Sequence, residues 1–148
     1  MRNFAKRLMA YEAESNKSNA TNTLVGFHVA EKLRQHLAAF MGNTGFYTLR
    51  ARALALAVVE VPSLRAVRVK ANGPLEGLEE LQARLDPGEL LEGSVVLLAQ
   101  LLGLLVSFIG EILTVRLVRE IWPQVPFNDR VFGNGGQNGY GGQNEKNR

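Results

Sequence analysis

From Ser94 to Gly110 the chain reads SVVLLAQLLGLLVSFIG, with only Ser94, Gln100 and Ser107 as polar side chains. A run of this kind has two physical outcomes. It crosses a bilayer, which takes about 20 apolar residues, or it is buried as the central helix of a water-soluble domain. Glu111 ends the run and Arg116 follows within the next turn and a half. A charged side chain inside a span costs about 2.5–3.5 kcal/mol on insertion scales. The buried core helix is the better reading.

The start of that helix is marked locally. In Asp86-Pro87-Gly88-Glu89, an aspartate suited to the N-cap precedes a proline at the first helical position and a glutamate at the third. Pro123 supplies the stop. The sequence therefore predicts one helix over 88–122, about 50 Å long at 1.5 Å per residue. Gln100, Gly103, Ser107, Glu111 and Thr114 step along it by three or four residues and share one stripe. The stripe is either the exposed edge of a core helix, or a close helix crossing. In the second case the small residues Gly103 and Ser107 let backbones approach while Gln100 and Glu111 bond across. A helix of this length, apolar on most sides, needs more cover than shorter helices of one chain supply. The expectation is a partner helix, most simply from a second copy.

The rest of the chain supplies shorter elements. Residues 3–13 form an amphipathic helix with Phe4, Leu8 and Tyr11 on one face and Lys6, Arg7 and Glu12 elsewhere. Residues 14–23 are a polar linker, and its sequons at Asn16 and Asn19 are chance matches. A helix over 24–41 carries Leu24, Phe27, Leu37 and Phe40 on its apolar face and ends at Gly42. Asn43 or Thr44 caps the next, 45–60, which has Phe46, Leu49, Ala53 and Leu56 inward and Arg50 and Arg52 toward solvent. Pro62 ends it. Arg65 to Lys70 alternates basic and apolar residues, the period of a short strand; with no partner in the chain it is either an extended connector or an edge segment that pairs with another copy. Asn72-Gly73-Pro74 is a turn, and 75–85 is a short helix. The tail 128–148, rich in Gly, Asn and Gln, is expected to be disordered.

The implied fold class is all-α: a helical bundle with a long apolar C-terminal helix, completed by self-association. It forms a single helical domain over 1–127, with the tail after it.

The chemistry is sparse. The chain has no cysteine, so disulfides, thiolate catalysis and cysteine metal sites are excluded. His28 and His36 are about 12 Å apart along one helix, too far to share a metal ion. No catalytic constellation, metal site, cofactor motif or phosphate loop is found. Glu111 is the one acidic residue closing the apolar run. If buried it would have either a raised pKa or an arginine partner, with Arg50 and Arg52 as the candidates. A net charge of +3, spread among acidic residues, does not describe a specific nucleic-acid binder. The first residues lack an apolar signal core, which with the absence of cysteine fits a cytoplasmic protein.

Two stretches, GFYTLRARALALA from Gly45 and LLGLLVSFIGE from Leu101, resemble small bacterial helical proteins without an assigned function. The resemblance spans roughly 1–125. It implies a bacterial, cytoplasmic helical protein, and it brings no activity or site residues.

The function expected is a non-enzymatic interaction or adaptor module. It would act by self-association or through a protein partner, with Gln100, Gly103, Ser107, Glu111 and Thr114 as the interface. The alternative is a membrane-associated protein using helix 3–13 or the segment 94–110. A third is a small-molecule binder around Glu111.

Overall fold

The computed structural model describes residues 1–15, 25–70 and 75–125. Among these, five helices pack together: α1 (Arg2–Ser15), α2 (Val25–Glu60), α3 (Leu78–Arg84), α4 (Pro87–Ile109) and α5 (Glu111–Ile121). A 3-10 turn, Pro62–Ala66, leads out of α2. The all-α expectation holds. The linker expected at 14–23 falls outside the described residues from position 16, and 14 and 15 close α1. The turn at 72–74 and the tail 128–148 also lie outside them.

α4 is the axis of the core. Every residue from Gly93 to Ala99 is buried, nearly two full turns with no exposed side, and Leu101, Leu102 and Leu105 continue the contact. α1, α2, α3 and α5 all pack on it. Gly93 admits Leu64 of the 3-10 turn, whose Cδ2 would sit 3.1 Å from an added Cβ. The cover expected to be insufficient is thus supplied within the chain over this midsection, and completion of the core by a second copy has no support in the fold.

The predicted helix 88–122 is two helices, so the long apolar helix is not C-terminal. Gly110 interrupts it with φ 92° and ψ 160°, a backbone shape confined essentially to glycine. Gly42 breaks α2 in the same shape, φ 85° and ψ 159°, at the boundary expected from sequence. An added Cβ would meet nothing within 4 Å at either position. Backbone conformation, not lack of space, therefore calls for glycine there.

The start of α4 forms as its residues dictate. Asp86 Oδ1 accepts from the Glu89 amide at 2.8 Å, and Glu89 Oε1 accepts from the Asp86 amide at 3.3 Å. The alternating segment 65–70 does find a partner in this chain, correcting the expectation. Arg68 and Glu76 exchange both backbone hydrogen bonds at 2.8 Å in an isolated antiparallel bridge, and Lys70 reaches the Glu76 carboxylate at 2.9 Å. The helix expected over 75–85 is shortened to 78–84, because Glu76 is spent on that bridge and Gly77 turns left-handed, φ 90°, before Leu78.

Candidate interaction surface

α4 loses its cover toward its C-terminal end, where the expected interface lies. Gln100 is half-buried and donates through Nε2 to Glu60 Oε2 at 3.2 Å, a bond within the chain. Gly103 is half-buried, and an added Cβ would meet nothing within 4 Å, so no described helix of this chain crosses there. Ser107 is exposed. These three share one side of α4. Glu111 and Thr114 do not continue the stripe, because Gly110 redirects the chain before them. Glu111 is exposed in the first turn of α5, where a carboxylate suits the helix dipole. Thr114 is fully buried and donates through Oγ1 to the Gly110 carbonyl at 2.7 Å.

Around the same break stand the large apolar side chains Phe108, 69% exposed, Ile112, 76% exposed, and the less exposed Leu113. Isolated apolar residues on a surface need no account, but several within six positions do. Phe40, placed on the apolar face of α2 from its spacing, is likewise exposed, two residues before the other glycine break.

Two charged groups expected at the surface are buried. Arg50 is 2% exposed, its guanidinium over the Phe46 ring with Nη2 donating to the Lys70 carbonyl at 3.1 Å. Burial pulls Arg50 below its ordinary pKa, with the nearby Glu31 acting the other way. Glu31 accepts from Arg34 Nε at 2.8 Å, and this hydrogen bond raises Arg34.

Glu12 is also 2% exposed. Its Oε1 accepts from Lys32 Nζ at 2.9 Å and from Trp122 Nε1 at 3.1 Å, tying α1 to α2 and to the end of α5. The signal for it was the spacing of Phe4, Leu8 and Glu12, four residues apart along one helix face. Thr114, Val118 and Trp122 repeat that spacing on α5 and are buried in the same way.

His36 Nδ1 lies 3.1 Å from the Lys32 carbonyl, His36 is exposed and His28 half-buried. Among the described residues no group of three or more histidines and carboxylates could hold a metal ion. By length and composition α4 could cross a membrane, and its most apolar window is 56% buried in the fold.

No protein-family model, curated protein or solved structure matches this chain.

Proposed function

We propose that the protein is a non-enzymatic helical interaction module. Its contact face is the open side of α4 at Gly103 and Ser107, extended across Gly110 by Phe108, Ile112 and Leu113. The observation that carries this reading is the exposure of Phe108 and Ile112 beside an α4 surface left open by the described residues. Covering a side chain of that size is worth about 1.5–3 kcal/mol, and a second copy or another protein would supply the cover. Of the five stripe residues, Gln100, Gly103 and Ser107 stay in the proposed face, Glu111 lies at its edge, and Thr114 contributes through the fold.

Ser107→Arg tests it by placing a charge in the centre of the face. Sedimentation equilibrium of the wild type should give a mass that rises with concentration, or a tagged full-length bait should retain a stoichiometric protein. The variant should lose either behaviour with its far-UV spectrum unchanged. A wild type that stays monomeric and retains nothing refutes the module.

A second reading, membrane association through α1 or the segment 94–110, rests on the length and apolar character of α4. Co-sedimentation of the wild type with vesicles of anionic phospholipid would favour it over the first.

A further inference from the structure

The two ends of α5 are held in different ways. At its start the Gly110 amide donates to the Val106 carbonyl at 2.9 Å, and the Gly110 carbonyl accepts from the Thr114 amide at 3.1 Å. Helical bonds run up to this residue and resume from it, so the whole change of direction resides in one φ and one ψ. Hinges are residues that absorb a change of this kind. At its end α5 is fastened by Trp122, buried, with its indole N–H on Glu12. Between hinge and fastening α5 fully buries Thr114 and Val118 and half-buries Leu117 and Ile121 against the core, while Ile112, Leu113, Arg116 and Glu120 are exposed.

Gly42 has the same backbone shape and serves as the comparison. The helical stretch after it buries Phe46, Leu49, Arg50, Ala53 and Ala57, so many side chains hold it in place. The stretch after Gly110 fully buries three, Thr114, Val118 and Trp122.

We propose that α5 is a strap that swings about Gly110 as a unit, with the Trp122–Glu12–Lys32 node as its latch. It opens while α1, α2 and α4 stay folded. Opening releases Thr114, Val118 and Trp122, which join Ile112 and Leu113 on one freed amphipathic helix. The node gives the latch its character: Lys32 keeps Glu12 paired after the indole leaves, so release of Trp122 does not strand a lone buried carboxylate. This proposal does not depend on the interaction module, since a strap opens or stays shut whatever the α4 face binds.

Hydrogen exchange of the full chain, read by mass spectrometry, tests it, because sub-global opening gives a contiguous segment its own rate. In the wild type the amides of 115–121 should exchange together, about tenfold or more faster than those of 93–102. Trp122→Phe should speed 115–121 by about a further tenfold and leave 93–102 unchanged. A wild-type α5 no faster than α4, or a Trp122→Phe effect that is absent or shared equally by α4, overturns the strap. Gly110→Ala is the second variant. Alanine does not hold the hinge shape, so Trp122, the only tryptophan in the chain, should become more accessible to acrylamide while 93–102 keep their protection. Unchanged quenching, or protection lost in step across α4, counts against the hinge.

Discussion

Glu12 and Arg50 are charged residues on otherwise apolar helix faces, and each is held by partners distant in sequence. Glu12 serves Lys32 and Trp122 with one oxygen. Glu12→Ala removes the acceptor of a buried indole N–H and the counter-charge of Lys32, and a buried group left without its partner costs about 1–3 kcal/mol. Urea denaturation should show a loss of about that size, with the slope unchanged. Glu12→Gln keeps a carbonyl for the indole and should lose less. Arg50→Ala deletes a buried side chain beside Phe46 and the donor to the Lys70 carbonyl. A cost of about 3 kcal/mol is expected in the same assay. The positions of both side chains are periodic and readable, with Phe4, Leu8 and Glu12 in one series and Phe46 and Arg50 in another. Reading charge as exposure overrode the period. The partners themselves were not readable, since nothing local to Glu12 points to Trp122.

At the scale of the element, capping signals are legible in the sequence, and of the two glycine breaks only Gly42 is. The start of α4 can be derived from Asp86, Pro87 and Glu89, because capping bonds join residues three apart. Asp86→Ala should cost about 1 kcal/mol, measured by urea denaturation. The break at Gly110 is not legible because Glu111, Ile112 and Leu113 after it are not capping types and no proline flanks it. The end of α2's first half at Gly42 was visible, with Asn43 and Thr44 next to it as capping types. The alternation of 65–70 marks it as strand-like, but its partner, Glu76, sits in a segment whose apolar spacing reads as helical. Part of the proposed face was legible, in that Gln100, Gly103 and Ser107 do share a side of α4. The exposed Phe108, Ile112 and Leu113 were not, since spacing alone does not say where neighbouring helices stop covering α4. Gly103→Ala separates the two roles of that glycine. With open space at the Cβ, alanine should stabilise the folded chain by up to about 1 kcal/mol through helix propensity. If Gly103 also admits a partner helix closely, the same substitution should weaken association in sedimentation equilibrium.

For the whole molecule, α1 is the piece that closes the core. It is about 21 Å long and fastened near both ends: Arg2 pairs with Glu60, which also accepts from Gln100 of α4, and Glu12 holds Lys32 and Trp122. Between them Phe4, Ala5, Leu8 and Met9 are buried. Leu8→Ala should cost about 2–5 kcal/mol, a large part of the 5–15 kcal/mol typical of a domain, and lower the thermal midpoint markedly in calorimetry.

The bond between Glu12 and Trp122 joins positions 110 residues apart, which has a consequence for biosynthesis. A ribosome adding about 5–20 residues per second completes Glu12 roughly 5–20 s before it reaches Trp122. During that interval Phe4, Leu8 and Met9 of α1 gain their neighbours in turn, as first α2 and then α4 is made. Glu60 emerges near the halfway point and offers Arg2 a provisional mooring, so α1 is held first at Arg2 and sealed at Glu12 only when the indole arrives.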